Sequence, residues 1–280
     1  MESFPRTMIE NISVSRMIIG TNWFLGHSHT SDAKSRFIRE YMDSSRIAGI
    51  LEVFLNAGID TTVGLMQEPV MLEGIQKAQD RTGKKIIRIG TPGLDITEGQ
   101  GKWDNAKRTL DAQMQSGTII CMPHQSTTDA LLDKRARTIR EMDAISKLIR
   151  ERGMIPGLST HAPESIIFTD ERKLDVATYI QIYNAAGFMM PLEIDWSQRI
   201  IWNAALPVLT IKPMAAGRLL PIVGLAFAWS TIRDKDMVAV GTMTADEARE
   251  CIEISRSILE RRKPEVDLQR TRSKNVVDPK

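Results

Sequence analysis

Four histidines are the residues of this sequence best suited to acid–base chemistry at neutral pH. They are His27, His29, His124 and His161, and the chain contains no others. Imidazole titrates near neutrality, so it can act as a general acid or base, and its nitrogens are common metal ligands. Each of the four follows a short apolar run in the sequence. We therefore expect them to lie together at one end of a set of strands.

Eight such apolar runs alternate with amphipathic segments along the 280 residues. The runs are rich in Ile, Val, Met, Thr and Leu, which is typical of parallel strands covered on both faces. Strands are predicted at Met17–Gly20, Ile59–Val63, Lys85–Gly90, Thr118–Met122, Met154–Ser159, Ala177–Ile182, Val208–Ile211 and Met237–Val240. Helices are predicted at 34–56, 68–82, 103–116, 127–151, 163–173, 196–205, 220–232 and 245–262, the last opening with a Thr244–Glu247 capping box.

Eight strand–helix units over about 250 residues predict an α/β fold of the (β/α)8 TIM barrel type, in a single domain. The alternative is a doubly wound open sheet, which usually has fewer units and a glycine-rich first turn. The segment Gly20–Gly26 after the first strand lacks the G-x-G-x-x-G pattern. We therefore predict one barrel over residues 1–262, followed by a polar C-terminal tail over 263–280.

The composition argues against several classes of partner. With 37 Lys+Arg against 35 Asp+Glu the formal charge is only +2, so no nucleic-acid partner is expected. The longest apolar stretch, Leu219–Trp229, is broken by proline and glycine and is too short to span a bilayer. Cys121 and Cys251 cannot form a disulfide framework, which favours a reducing, cytoplasmic setting. A small-molecule substrate is the partner that remains, and the oligomeric state is left open.

Two loops after the last predicted strands suggest an anion-binding region. In TIM barrels the active site lies at the C-terminal ends of the strands, and the last two loops often bind phosphate. Ala215–Arg218 supplies a flexible turn and a cation, and Gly241–Thr244 leads into the capped last helix. Backbone N–H groups at such a helix start attract anions. An anionic ligand is therefore expected near these loops.

Four segments resemble the aldo-keto reductase family. They are Ile12–Thr21, Gly157–Glu164, Val208–Leu219 and Val238–Glu247, and the likeness extends over about residues 12–260. The resemblance implies a barrel that binds NADP(H) across its C-terminal mouth without a Rossmann motif. It assigns cofactor binding to Ser159, Thr160 and Gln181 at the nicotinamide, Lys212, Gly217 and Arg218 beside the pyrophosphate, and Gly241, Thr242 and Thr244 near the adenosine phosphate.

The family's catalytic residues are only partly present. In that family a tyrosine donates a proton to the carbonyl oxygen, a Lys–Asp pair lowers its pKa, and a histidine orients the substrate. His124 matches the histidine, while Asp60 takes the aspartate's role only if the second strand is shifted by three residues, since direct alignment puts Val63 there. No tyrosine occurs between Tyr41 and Tyr179, and no lysine follows the third strand.

Three hypotheses follow from the sequence. The first is an NADP(H)-binding oxidoreductase that acts on a small carbonyl or alcohol through a non-standard site, with His124, His161 and Asp60 as its catalytic candidates and no bound metal. The second is a non-catalytic or regulatory barrel that has lost this chemistry. The third is a metal-dependent lyase, isomerase or hydrolase in which three nitrogen ligands converge from the set His27, His29, His124 and His161. The sequence does not indicate the substrate.

Overall fold

The computed structural model describes residues 3–96, 103–267 and 273–274. The strands within these ranges are β1 (Arg6–Ile9), β2 (Ile12–Ser15), β3 (Met17–Gly20), β4 (Thr61–Gly64), β5 (Ile87–Gly90), β6 (Ile120–Cys121), β7 (Leu132–Asp133), β8 (Thr138–Ile139), β9 (Ile155–Pro156), β10 (Leu158–Ser159), β11 (Tyr179–Ile182), β12 (Val208–Ile211) and β13 (Met237–Val240). The helices are α1 (Asp32–Tyr41), α2 (Ser44–Asn56), α3 (Pro69–Thr82), α4 (Asp104–Gln115), α5 (Gln125–Thr128), α6 (Met142–Arg150), α7 (Glu164–Arg172), α8 (Ile194–Asn203), α9 (Pro221–Thr231) and α10 (Ala245–Leu259).

Nine of these strands form a parallel sheet that closes into a barrel. Their order is β10-β11-β12-β13-β3-β4-β5-β6-β9, and β9 and β10 are two halves of one strand separated by Gly157. The N–H of Gly157 donates to the Cys121 carbonyl at 3.0 Å, and the N–H of Leu158 donates to the Thr178 carbonyl at 3.0 Å. Because this segment pairs on both sides, the ring is complete. The predicted (β/α)8 barrel is confirmed.

The antiparallel hairpin β1–β2 covers the end of the barrel where the strands begin. Ile9 and Val14 of the hairpin are fully buried and pack with Ile18 and Met237 of the barrel interior. Burying these side chains stabilises the hairpin against the barrel through the hydrophobic effect. The hairpin thus occupies the N-terminal end, and the site described below lies at the opposite end.

Side chains inside the barrel pack tightly enough that one strand position requires glycine. Met122 belongs to the interior cluster with Ile155 and Ile180. A Cβ on Gly157 would lie 2.8 Å from the Met122 Cγ, which is too close for two carbon atoms. The glycine in the fifth barrel strand therefore gives the methionine its space, since interiors have little free volume.

The predicted helix at 34–56 is two helices. α1 ends before Met42, and Asp43 caps the start of α2 by accepting hydrogen bonds from the N–H groups of Ser45 and Arg46, at 2.9 and 2.8 Å. An aspartate in this position satisfies backbone donors that an N-terminus leaves free. The apolar periodicity runs across the break, so the pattern alone did not reveal it.

The predicted helix at 127–151 is wrong in its first half. The chain there forms the short helix α5, a small antiparallel hairpin β7–β8 and only then α6. Asp133 initiates the hairpin turn, because its Oδ1 accepts from the N–H groups of Arg135 and Ala136 at 3.0 and 2.8 Å. Side-chain acceptance of this kind competes with helix formation.

The predicted C-terminal tail lies largely outside the described residues. Before the gap, the Glu265 N–H donates to the Glu253 carboxylate of α10 at 2.8 Å. None of the helices within the described ranges combines the length and the apolar character that a membrane crossing requires.

Candidate functional site

A cavity of about 880 Å³ opens at the C-terminal ends of the barrel strands. Its base is formed by apolar side chains of the strands, which are Val63, Ile180, Ile211 and Ala239. The histidines His27, His29, His124 and His161 all line its walls. The four imidazoles that the sequence distributes over 135 positions are thus brought to one concave site, as the strand pattern predicted.

Lys212 is the most strongly perturbed cation of the cavity. It follows β12 directly, in the left-handed backbone region with φ 62°. Its Nζ lies 3.1 Å from Nε2 of His29. Burial lowers the pKa of this amine to about 8. A left-handed conformation is rare for a residue with a Cβ, and such backbone strain is concentrated at functional sites.

The contacts of His29 determine which of its nitrogens carries the proton. Nδ1 lies 2.9 Å from the His27 carbonyl oxygen, which can only accept, so Nδ1 carries the hydrogen. Nε2 of the neutral ring is then left to accept a hydrogen bond from the Lys212 ammonium. Desolvation at the cavity rim, followed by the charge of Lys212, lowers the pKa of His29.

His124 lines the cavity, and its Nδ1 is engaged within the chain, which leaves Nε2 as the nitrogen that can meet a ligand. It caps the short helix α5, and its Nδ1 accepts from the Ser126 N–H at 3.3 Å and contacts the Ser126 hydroxyl at 2.8 Å. With Nδ1 accepting, the neutral ring carries its hydrogen on Nε2. Burial, with smaller contributions from the charges of Lys212 and His27, lowers the pKa of His124. At neutral pH it is therefore a neutral hydrogen-bond donor.

His161 is held by a carboxylate that the sequence analysis did not identify. The backbone N–H of His161 donates to Asp129 Oδ2 at 3.1 Å, and the Thr160 hydroxyl donates to Asp129 Oδ1 at 2.6 Å. Burial, and next the charge of Lys212, lowers the pKa of the His161 ring to about 4. Because its ring is neutral at pH 7, it lacks the proton that the predicted general acid would need.

Five of the predicted cofactor residues line the cavity: Ser159, Lys212, Gly217, Gly241 and Thr242. The Thr242 side chain is 4% exposed, and its hydroxyl has no hydrogen-bond partner within the described chain. A buried polar atom without a partner is costly, and a bound ligand can supply one. A Cβ on Gly241 would lie 2.7 Å from Cδ1 of Trp23, so the glycine lets the indole ring pack against the end of β13.

Gln181 does not reach the cavity. Successive side chains of a strand point to opposite faces. Ile180 points into the barrel and lines the cavity, so Gln181 points outward, where its amide nitrogen donates to the Ile182 carbonyl at 3.3 Å. The predicted contact between Gln181 and a nicotinamide is therefore wrong. A shift of one residue along β11 is enough to exchange the two faces.

Three other predicted cofactor residues lie outside the cavity lining and are engaged in structural contacts. The Thr160 hydroxyl is bonded to Asp129, and the Arg218 guanidinium lies 4.1 Å from the centre of the Phe188 ring. Thr244 caps α10 by accepting from the Glu247 N–H at 3.1 Å. The Glu247 carboxylate accepts from the N–H of Met243, one residue before the cap, at 2.6 Å, so only the Thr244 half of the predicted capping box is formed. None of the three side chains is a cavity residue.

Asp60 lies at the opposite end of the barrel. It precedes β4, and its carboxylate forms an ion pair with Arg6 of the N-terminal hairpin at 2.9 Å. The Thr61 hydroxyl also donates to it, at 3.1 Å. A catalytic role for Asp60 beside His124 is contradicted by this position, because the shift of the second strand that would bring it to the mouth does not occur.

None of the three tyrosines lines the cavity. The Tyr179 hydroxyl donates to Asp170 at 2.5 Å, and the Tyr183 ring packs 4.9 Å from that of Phe227. Tyr41 stacks on Phe37 of α1. At the ends of β4 and β5 the cavity is instead lined by Gly64, Leu65 and Thr91. The tyrosine hydroxyl and the lysine amine that the family uses in catalysis are therefore absent from these positions.

Further lining residues were not predicted from the sequence. Trp23 and Lys34 line the wall near β3, with the Lys34 Nζ 5.9 Å from the Trp23 ring centre. Glu247 and Glu250 of α10 line the end near Gly241. Trp23 could have been predicted as a lining residue because it comes soon after the first barrel strand. Nothing in the sequence distinguishes a helix residue such as Lys34 in this way. The described residues contain no group of three His, Cys, Asp or Glu side chains arranged to hold a metal ion.

Comparison with known proteins yields structural neighbours only. No protein-family model matches the chain, and no curated protein matches it in sequence. A Pseudomonas aeruginosa protein provisionally named an aldo-keto reductase shares 13% identity with a TM-score of 0.65, over 91% of this chain and 95% of that one. An aldo/keto reductase from Brucella melitensis shares 12% identity with a TM-score of 0.59, over 93% and 99% of the two chains.

A third neighbour is an aldo-keto reductase enzyme from a Medee basin deep-sea metagenome library. It shares 8% identity with a TM-score of 0.58, over 92% of this chain and 95% of its own. The resemblance noted in the four sequence segments thus extends to the arrangement of strands and helices. The chain has the barrel fold of the aldo-keto reductases.

Proposed function

We propose that the protein is a nicotinamide-dependent oxidoreductase that interconverts a small carbonyl compound and its alcohol in the cytoplasm. The observation that carries this proposal is the Nε2–H of His124 at the mouth of a barrel that shares its fold with aldo-keto reductases. Both cysteines are buried and unpaired, which suits a reducing compartment.

The lining residues suit an extended dinucleotide. Ser159 at the end of β10 offers a hydroxyl to a carboxamide, and the unpartnered Thr242 hydroxyl offers a second polar contact near α10. Gly217, with φ 85°, leaves room for a ligand to approach the backbone of the loop after β12. When bound, the dinucleotide would supply the hydride.

The charges near α10 bear on which dinucleotide binds. Glu247 and Glu250 line this end, and among the described residues that line the cavity the only Lys or Arg side chains are Lys34 and Lys212. Carboxylates repel a 2′-phosphate and can instead accept hydrogen bonds from ribose hydroxyls. The resemblance implies NADP(H); from these charges we propose that NAD(H) binds at least as well.

Two side chains together take the role that the catalytic tyrosine has in the aldo-keto reductases. The neutral His124 donates its Nε2–H to the carbonyl oxygen and so orients and polarises it. Lys212, whose pKa is about 8, is mostly protonated at pH 7 and supplies the proton as the alkoxide forms. This assignment replaces His161 as the proton donor, since burial lowers the pKa of that ring to about 4.

The test is a fluorescence titration with NADH and NADPH followed by a screen of small aldehydes and ketones. We expect micromolar binding, turnover with one carbonyl class, and a loss of turnover in His124→Phe at unchanged nucleotide affinity. No binding of either nucleotide at millimolar concentration contradicts the proposal. Binding without turnover of any carbonyl compound favours the non-catalytic alternative, to which the absence of a tyrosine from the cavity also points.

A further inference from the structure

We propose that the side-chain amine of Lys212 forms an imine with a small aldehyde or ketone bound in the cavity, an activity that needs no nucleotide. The claim goes beyond hydride transfer, because it makes Lys212 a covalent nucleophile. It depends on where this amine lies, which groups surround it and how its protons can leave.

The amine is held at a reactive position. Lys212 follows β12 in the left-handed conformation and is succeeded by Pro213, whose ring restricts the chain. Its Nζ lines the cavity and is bonded to Nε2 of His29 at 3.1 Å. Below it lie the apolar side chains of Ile180 and Ile211, which offer a surface for a small carbon skeleton. A fixed amine above an apolar floor brings nitrogen and carbonyl carbon together without further ordering.

No carboxylate neutralises this amine within the part of the chain that the structure describes. Among the described residues no Asp or Glu lies within ion-pair distance of Nζ, and burial alone accounts for the shift of its pKa. The titratable groups that feel its charge are the rings of His29, His124 and His161. Because burial is uncompensated, the balance shifts toward the uncharged form and the pKa falls, although the ammonium still predominates at pH 7.

The consequence is a supply of free amine at neutral pH. The pKa of Lys212 is about 8, against an ordinary value near 10.4. At pH 7 the fraction present as free amine is therefore about 200-fold larger than for an ordinary lysine. Lysines desolvated in this way are the ones that act as nucleophiles toward carbonyl groups.

The reaction balances without an oxidant or reductant. Nε2 of His29 accepts one proton from the Lys212 ammonium, and the nitrogen lone pair then adds to the carbonyl carbon. A C–N bond forms while the C=O π electrons move to oxygen, which is protonated to give a carbinolamine. The C–O bond then breaks, oxygen leaves as water and the iminium remains. Of the three ammonium protons, one stays on the iminium nitrogen and two leave in the water.

Lys34 provides an internal control. It lines the same cavity, but its Nζ lies over the aromatic rings of Trp23 and Phe37, at 5.9 and 5.0 Å from their centres. The two amines thus share one cavity but contact different groups. Lys34 therefore tests whether access to the cavity is by itself sufficient for reaction.

The experiment is borohydride trapping of the full chain without any nucleotide. The protein is incubated at pH 7 with low propanal or with pyruvate, reduced with sodium borohydride, digested and mapped by mass spectrometry. We expect a propyl or carboxyethyl group on Lys212, at an occupancy about tenfold or more above that of Lys34 and of each surface lysine, since free-amine fraction governs the rate. Lys34→Arg retains this adduct and Lys212→Arg loses it.

Equal labelling of Lys212 and Lys34 in the unaltered protein overturns the proposal, and that comparison does not depend on whether a variant folds. Retention of the same total adduct in Lys212→Arg overturns it as well. The outcome is independent of the proposed oxidoreductase activity, because the trap contains no NADH or NADPH. A protein that binds nucleotide but shows no adduct loses only the covalent role of Lys212.

Discussion

Asp129 accepts a 2.6 Å hydrogen bond from the Thr160 hydroxyl, which links the end of α5 to the end of the fifth barrel strand. The same carboxylate accepts the backbone N–H of His161. His124 caps the start of α5, and its backbone N–H donates to the Pro92 carbonyl at 2.8 Å. Two of the four cavity histidines, His124 and His161, are therefore held at opposite ends of the short helix α5.

We expect Asp129→Ala to lower the free energy of unfolding by about 1–3 kcal/mol, because the Thr160 hydroxyl and the His161 N–H lose a charged acceptor. Urea denaturation followed by circular dichroism measures the change. The matched control is Asp143→Ala on the exposed face of α6, for which we expect a change within about 0.5 kcal/mol. Equal losses in the two variants would show that Asp129 does not brace the site.

Anion binding should weaken as the pH rises through 8. Lys212 has a pKa of about 8, so its positive charge is present below that pH and is lost above it. The rings that face it, His29, His124 and His161, have lowered pKa values and are already neutral in this range. Nucleotide titrations between pH 6.5 and 9.5 should show little change in affinity below pH 7 and a fall of up to about tenfold per pH unit above pH 8, because the fraction of protonated amine falls at that rate. The Lys212→Met variant should show a flat profile, and a slope that persists in it would exclude Lys212 as the cause.

Stability should fall on the acid side because of His161. Its pKa is about 4 in the folded chain against 6.5 when unfolded, so the unfolded state binds more protons between these values. The contribution is complete above pH 6.5 and is lost as the pH falls toward 4. Since the ring is partly exposed, we expect about 1–2 kcal/mol, measured as the difference in acid sensitivity between the unaltered chain and His161→Asn. A parallel loss of stability in both proteins would contradict this assignment.

The barrel could be predicted because the local composition of each strand is enough to identify it. The predicted bounds of β3, β12 and β13 agree with the structure residue for residue. A continuous apolar run without alternation indicates a strand covered on both sides whatever its neighbours are. The hairpin β7–β8 could not be found in the same way, because its apolar residues also fit a helical period and only the turn at Asp133 separates the two.

The site was predictable to the level of strand ends and no further. His124, His161 and Lys212 follow strands, so a correct barrel was enough to bring them together. The predicted roles of Gln181 and Asp60 were wrong because both depended on strand register. A shift of one residue turns a side chain to the other face of its strand, and a shift of three residues would be needed to bring Asp60 from the start of β4 to the cavity end. Asp129 was missed since its importance arises only from contacts with residues about thirty positions away.

Neutralising Glu250 should shift the nucleotide preference toward the phosphorylated form. Glu250 is exposed on α10 and lines the cavity beside Glu247, which is already engaged in the helix cap. Replacing Glu250 by Gln removes one negative charge with little change in shape. We expect NADPH affinity to rise by about two- to tenfold with NADH affinity nearly unchanged, as expected for one charge interaction of about 0.5–1.4 kcal/mol near the surface. Glu253→Gln, on the same helix but outside the cavity lining, should leave the ratio of the two affinities as it was.

Gly241 should be required for the shape of the nucleotide end of the cavity. A Cβ at this position would lie 2.7 Å from Cδ1 of Trp23, so Gly241→Ala must displace the indole ring into the cavity or outward. We expect nucleotide affinity to fall about tenfold or more, with a shift in tryptophan fluorescence, because a misplaced large side chain costs on the order of 1–3 kcal/mol. The matched control is Gly93→Ala, which also lines the cavity but whose Cβ would meet no atom of the described residues within 4 Å. If both variants bind NADH like the unaltered protein, the dinucleotide does not lie against β13.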